Sequence, residues 1–216
     1  MPDLNLRLAS GYERLMRLPH HIAATAIFDL VVTGKENMPS AGPVVIAANH
    51  FSHLDVPIIG TNLDRYVRFL AVDDLYGRSM AFDAALGFFG AISLDRDGYP
   101  VRAMRTAVDH LVEGNVVGLF PEGRRVEHWG VDAPKPGAAW LAWMTGAPLV
   151  PVAIHGTELS LSPNAQRFSR TAVRMWVLEP MWWHDYRDCV EPLQSMMADW
   201  YERVDERLAP WRTPDG

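Results

Sequence analysis

The segment Asn49-His50-Phe51-Ser52-His53-Leu54-Asp55 sets a histidine five residues ahead of a carboxylate. The uninterrupted apolar run Val44–Ala48 comes just before it and reads as a buried strand. His50 then stands where a strand delivers its C-terminal end, the edge at which open α/β sheets take their ligands. Asp55 falls at the start of the next helix. A neutral imidazole accepts a proton near pH 7, and a carboxylate on its other ring nitrogen fixes the tautomer and stabilises the imidazolium. A plainer reading competes. Ser52-x-x-Asp55 also fits a capping box, and Asp55, two residues before Pro57, fits an N-cap. His50-x2-His53-x-Asp55 admits a third reading as a metal site. The remaining histidines are scattered and form no second cluster, so no metal is expected.

Three further clusters carry functional groups. Gly90-Ala91-Ile92-Ser93-Leu94-Asp95-Arg96-Asp97 ends a short strand in charge and puts Arg96 at a sheet edge. Phe120-Pro121-Glu122-Gly123-Arg124-Arg125 follows the apolar run Val116–Phe120, with a tight turn and two guanidiniums, whose planar forks suit phosphate oxygens. Taken singly, each arginine is as well explained by a solvated surface ion pair. Val150–Ile154, with Pro151 inside it, reads first as plain core. No Gly-x-Ser-x-Gly elbow and no Walker-type phosphate loop is present. Ser52 and Ser93 are therefore poor candidates for a nucleophile.

The elements that must position these residues alternate. Expected strands are Leu30–Thr33, Val44–Ala48, Val67–Val72, Ala91–Leu94, Val116–Phe120, Leu149–Ile154 and Val173–Leu178. Between them, Val101, Met104, Val108 and Leu111 form one helical stripe; Val190, Leu193, Met197, Trp200, Val204 and Leu208 form another. The pattern predicts an α/β fold, a single domain over 1–216 with a mostly parallel or mixed sheet flanked by helices. Residues 1–36 form its amphipathic N-terminal segment, 43–155 the motif-bearing core and 156–216 a C-terminal strand and helix. Pro136–Ile154 is long and uncharged, but Gly146, Pro148 and Pro151 break it into a short helix, a glycine stop and a strand rather than a membrane span. Leu4, Leu8, Leu15, Leu18 and Ile22 recur at helical spacing, so the N-terminal helix suits either its own domain or a membrane interface.

Composition narrows the function. The 216 residues carry 20 Lys+Arg against 26 Asp+Glu, a net charge of −6, which argues against a general nucleic-acid binder but leaves room for a local anion site. The single cysteine, Cys189, excludes an intrachain disulfide and a multi-cysteine zinc site. All 8 tryptophans lie at or beyond position 129, which leaves open whether they are core, acyl-chain lining or an interfacial belt.

The four clusters, NHFSHLD, GAISLDR, FPEGRR and VPV in this order, resemble the blocks of the phospholipid/glycerol acyltransferase family. Lys135-Pro136-Gly137-Ala138 is similar to that family's Lys-x-Gly segment. The resemblance spans residues 43 to 155 and implies an O-acyltransferase. The acceptor would be a lysophospholipid, lysophosphatidic acid first among them, or another lysolipid or glycolipid. The acyl group would come from an acyl thioester, acyl-CoA or acyl carrier protein, without a cofactor. By resemblance His50 is the general base and Asp55 its orienter. Asn49, Arg96, Glu122, Gly123, Arg125 and Lys135 match acceptor-site positions, and Pro151 matches the strand lining the acyl side. Arg124 departs from the family's Thr or Ser, and either adds a second cation to the site or points into solvent. The resemblance also implies direct transfer with no acyl-enzyme, and an oxyanion met by backbone N–H groups near the first or third block. It implies a cytoplasmic enzyme attached peripherally to the inner face of a membrane, with no transmembrane helix and no nucleic-acid partner. A metal-dependent hydrolase and a non-catalytic lipid-binding homologue are the competing readings. Retention of both His50 and Asp55 speaks against the second.

Overall fold

The structure is a computed structural model, and it describes residues 22, 25–72, 92–94, 101–160 and 169–211. Seven strands form one sheet: β1 (Val31–Thr33), β2 (Val44–Ala48), β3 (Val67–Val72), β4 (Ile92–Leu94), β5 (Val116–Leu119), β6 (Leu149–His155) and β7 (Arg174–Val177). Their spatial order is β1-β7-β6-β2-β5-β3-β4. Every neighbouring pair is parallel except β6 and β7, so β1 and β7 run against the other five. The α/β fold with a mixed, largely parallel sheet is the one the residue pattern predicts.

The central strands are apolar throughout because both of their faces are covered. Along β2, Val44, Ile46 and Ala48 face one core, while Val45 and Ala47 face the other. Helix α1 (Asp55–Asn62) closes the first core with Ile58 and Ile59. Helices α2 (Val101–Val112), α3 (Gly137–Thr145) and α5 (Pro192–Leu208) pack on the second. A four-residue turn of helix, α4 (Thr157–Ser160), follows β6. α3 stops at Gly146, whose left-handed backbone (φ 69°) returns its N–H to Ala142 O before β6 begins. Pro136–Ile154 is thus the helix, stop and strand expected. Among the described residues no helix is long and apolar enough to cross a membrane.

Several expectations need correction. The first expected strand, Leu30–Thr33, is shorter by one residue: β1 begins at Val31, which is exposed at the sheet edge. α2 buries Ala103, Ala107, His110 and Leu111, while Val101, which begins the expected stripe, is exposed. The reason is close packing: the alanines of α2 sit in one cluster with Ala138, Ala139 and Ala142 of α3, where larger side chains would hold the helices apart. In the C-terminal stripe Val190 is fully exposed, because α5 begins only at Pro192. The N-terminal stripe from Leu4 to Leu18 lies outside the described residues.

The tryptophans divide. Trp200 is fully buried and its indole N–H donates to Ala47 O at 2.9 Å, tying α5 to β2. Trp129 stacks on Tyr201 (4.8 Å between ring centroids) and donates to Asp205 Oδ1 at 2.7 Å. Trp143 and Trp182 are exposed. They sit near the start of β6, where Leu149 bridges Met181, at the edge of the sheet opposite His50. Trp143 therefore has no place in an acyl tunnel beside that histidine.

Candidate active site

The site gathers at the C-terminal ends of three neighbouring strands. β2 lies between β5 and β6, so the loop after it, residues 49–54, meets both the turn after β5 and the end of β6. The β2–β6 ladder runs to Ala48 opposite Val152. Beyond it the strands part, and the Asn49 side chain takes over. Its Nδ2 donates to Ile154 O, and its Oδ1 accepts from Ile154 N–H, both at 2.8 Å. This fully buried amide does the work of one more peptide in the ladder and fixes the point where the chain turns off toward His50. Both of its polar ends bond the backbone, so in this structure Asn49 serves as a brace between the two strands.

His50 is held on every side but one. Its backbone N–H donates to Glu122 Oε2 at 2.9 Å, and its carbonyl accepts from Val126 N–H at 2.9 Å. Its ring stacks on Phe120, with centroids 3.8 Å apart and planes 12° from parallel. Nδ1 lies 2.8 Å from Asp55 Oδ2. Among the described residues Nε2 has no partner, and the side chain keeps 16% of its surface open to solvent. With the carboxylate on Nδ1, the tautomer that leaves Nε2 as the proton acceptor is favoured.

Asp55 has no solvent exposure. Its Oδ2 also accepts from the N–H groups of Phe51 and Ser52, each at 2.8 Å, while Oδ1 accepts from Thr157 Oγ1 at 2.6 Å. The capping readings are not met as expected: the helix begins at Asp55 itself, its N-cap is Leu54, and no side chain caps it. The Asp55 carboxylate reaches back to the Ser52 N–H and carries the histidine on the same oxygen. This also corrects one expectation about the oxyanion. The N–H groups of His50, Phe51 and Ser52 all serve carboxylates, so these three first-block amides are not free to meet an oxyanion.

The third block forms a turn over the histidine. Glu122 is buried, and its Oε1 has no hydrogen-bond partner among the described residues. Burial pushes its carboxyl up to about 8; the charges of Asp55 and Asp132 add to the rise, and the His50 N–H bond opposes it. Gly123 has φ +74°, and a Cβ there would come within 2.4 Å of Lys135 Nζ. The left-handed backbone is what favours glycine here, and any side chain would also push the Lys135 tip aside. The Lys135 backbone N–H closes the same turn onto Pro121 O at 2.8 Å. Arg124 is mostly exposed and pairs with Asp132, Nε to Oδ2 at 2.7 Å, so of its two expected fates it takes the outward one. Arg125 is half-buried, next to the Val126 amide that holds the His50 carbonyl.

One expected site residue, Pro151, is not brought to His50, and another falls where the structure gives no description. Pro151 is buried within the sheet, opposite Ala47 and three residues short of the histidine on the neighbouring strand. Arg96 lies outside the described residues. His53 is half-buried on the loop, and no group of three or more His, Cys, Asp or Glu among the described residues is placed to hold a metal ion. Thr157 was missed by sequence reading, because its contact with Asp55 spans 102 positions. Its one local sign is the Gly-Thr pair that ends β6.

A buried carboxylate on a stacked histidine, at the strand ends of an α/β sheet, is an arrangement able to accept a proton from a bound hydroxyl. A family model described as Acyltransferase matches residues 29–155, which carry this whole arrangement except Thr157, and the chain belongs to that family. The 1-acyl-sn-glycerol-3-phosphate acyltransferase of Bacillus subtilis is 29% identical over 179 residues, covering 82% of this chain and 85% of the relative. The sheep 1-acyl-sn-glycerol-3-phosphate acyltransferase alpha is 28% identical over 171 residues, 78% of this chain and 58% of the relative. The crystal structure of the 1-acyl-sn-glycerophosphate (LPA) acyltransferase PlsC from Thermotoga maritima superposes with a TM-score of 0.76 at 26% identity, covering 93% of this chain and 81% of that one.

Proposed function

We propose that this acyltransferase moves a fatty acyl group from an acyl thioester, acyl-CoA or acyl carrier protein, to the hydroxyl of lysophosphatidic acid, giving phosphatidic acid. The observation that carries the proposal is the His50–Asp55 pair, with Nδ1 held by the carboxylate and Nε2 open. The names of the relatives support the acceptor. The acceptor hydroxyl gives its proton to His50 Nε2 as its oxygen attacks the thioester carbonyl. The tetrahedral intermediate collapses by breaking the carbon–sulfur bond, and the imidazolium returns the proton to the leaving thiolate. With the His50, Phe51 and Ser52 amides engaged, the oxyanion draws its donors from other backbone N–H groups near the first or third block. Arg125 and Lys135 supply positive charge for the acceptor phosphate, and Arg96 is the further candidate. A lipid acceptor also favours peripheral attachment to a membrane surface.

The test is thiol release from acyl-CoA with lysophosphatidic acid, other lysolipids and glycerol 3-phosphate as acceptors. Lysophosphatidic acid should be the preferred substrate. His50→Ala should lower kcat by roughly 10²–10⁴-fold, the range for loss of a general base, with an unchanged unfolding midpoint. Normal turnover by this variant would refute the mechanism, and indifference to lysophosphatidic acid would refute the acceptor.

A further inference from the structure

Asp55 is unevenly held. Its Oδ2 takes three donors, all from its own loop: His50 Nδ1, Phe51 N–H and Ser52 N–H. Its Oδ1 takes one, and that one comes from the far side of β2, from Thr157 Oγ1. Thr157 is fully buried. A carboxylate in such a place needs donors on both oxygens to stay ionised and fixed in rotation. The local loop supplies one side only.

Thr157 is itself placed with some care. Gly156 ahead of it has φ +95°, and a Cβ there would sit 2.1 Å from Ala172 O, so the turn that aims Thr157 inward accepts only glycine. The Gly156 carbonyl accepts from Thr171 Oγ1 at 2.8 Å, and its N–H donates to Glu158 Oε2 at 2.9 Å. The other oxygen of Glu158 is 2.6 Å from His155 Nδ1, and that ring stacks on Trp211. The end of β6 is therefore braced on both sides of the threonine. Its β-branched side chain is stiff, so the hydroxyl is delivered in a fixed direction.

We propose that Thr157 is a positioning residue for the acyl transfer, holding the Asp55 carboxylate so that Oδ2 stays on His50 Nδ1. The inference rests on His50 acting as the general base. Thr157 acts through Asp55 and has no route to substrate from its buried site. Removing its hydroxyl strips Oδ1 of its donor. The buried His50–Asp55 pair then binds a proton more readily, by roughly tenfold or about one pH unit for the loss of one donor to a charged group. The carboxylate also gains freedom to turn. The other titratable groups near the pair are Glu122, on the His50 amide, with His53 and Arg125 on the flanking loops and His155 and Glu158 beside Thr157, the last two paired with each other. None of them is altered by the substitution.

The experiment compares the intact protein with Thr157→Val, Thr157→Ala and Thr157→Ser. The ring nitrogens of His50 are titrated by NMR without substrate, and kcat and KM are followed against pH. In the Val and Ala variants the His50 titration and the acid limb of kcat/KM should move up by about one pH unit. Plateau kcat should fall roughly 10-fold, a modest loss of alignment, with both KM values unchanged. Serine should restore all three. Alanine, the smaller change, carries the test if the valine variant does not fold. An unmoved titration in a folded variant, a change in KM alone, or failure of serine to restore would overturn the proposal. The titration uses no substrate, so it separates the two ideas. A shifted titration alongside full turnover in His50→Ala would be a failure of the base assignment, not of the Thr157–Asp55 link.

Discussion

Replacing Glu122 with glutamine should make the protein more resistant to alkaline conditions. The wild-type carboxyl is buried, its Oε1 lacks a partner among the described residues, and it keeps its proton up to about pH 8 instead of the usual 4.5. In the unfolded chain the same group ionises near 4.5. Between those values the native state holds a proton that the unfolded state has released, so native stability falls as pH rises. The stabilisation is complete below about pH 4.5 and is lost as pH climbs through 8, where the curve levels off. At 1.36 kcal/mol per pH unit the whole interval is worth at most about 5 kcal/mol. That is a large share of the ~5–15 kcal/mol that holds a domain folded. Glutamine keeps the side-chain oxygen that accepts the His50 N–H but does not titrate. Urea unfolding followed by tryptophan fluorescence at pH steps from 5 to 9 would measure both proteins. The stability of Glu122→Gln relative to wild type should rise by up to about 1.4 kcal/mol per pH unit between 5 and 8, then stay level. A difference that does not change with pH would mean that Glu122 is ionised in the native state at neutral pH, and the reasoning from burial would fail.

The remaining predictions concern the scaffold. Asn49→Ala leaves the Ile154 N–H and carbonyl unpaired in a buried place, so unfolding free energy should drop by about 2–4 kcal/mol, with turnover falling as His50 loses its anchor. A loss below about 0.5 kcal/mol in urea titration would show that the two bonds are not holding the strand ends together. Trp200→Phe keeps an aromatic ring in the core but removes the donor to Ala47 O and some volume. Its cost should be about 2–3 kcal/mol, with KM for both substrates unchanged because α5 touches the sheet and not the histidine. A changed KM with unchanged stability would contradict that placement. Together with His50→Ala and the Thr157 series, these variants separate what holds the site from what acts in it.

Much of the fold was legible because its strands are short and covered on both faces. A run such as Val44–Ala48 is short, uninterrupted and rich in β-branched residues, as a buried strand is, and its bounds are met residue for residue. Val67–Val72 is met equally well. Helix faces were less legible. Of the α2 stripe, Leu111 is buried and Met104 and Val108 pack on the core, but Val101 is exposed and the closest contacts fall to the small Ala103 and Ala107. Size at a contact depends on how near the partner helix comes, and one helix cannot reveal that. The same holds for the tryptophans: Trp200 and Trp143 look alike in sequence, yet one is core and the other exposed.

His50, Asp55 and the turn at Glu122–Arg125 were recognisable from the sequence because each block keeps its chemistry within a few residues. Local spacing is enough to place a carboxylate on a histidine in the same loop. The sequence also carried the acyltransferase resemblance and the negative net charge, which directs attention to local geometry instead of a broad positive field. Tertiary structure alone decided how the blocks meet. It put Glu122 on the His50 amide across 72 positions and made Asn49 a brace onto Ile154. It sent Arg124 outward to Asp132 and brought Thr157 to Asp55. The Glu122, Asn49 and Thr157 contacts depend on which strands are neighbours. The order β5-β2-β6 is set by packing two faces of a sheet at once, and no local stretch of chain contains that information.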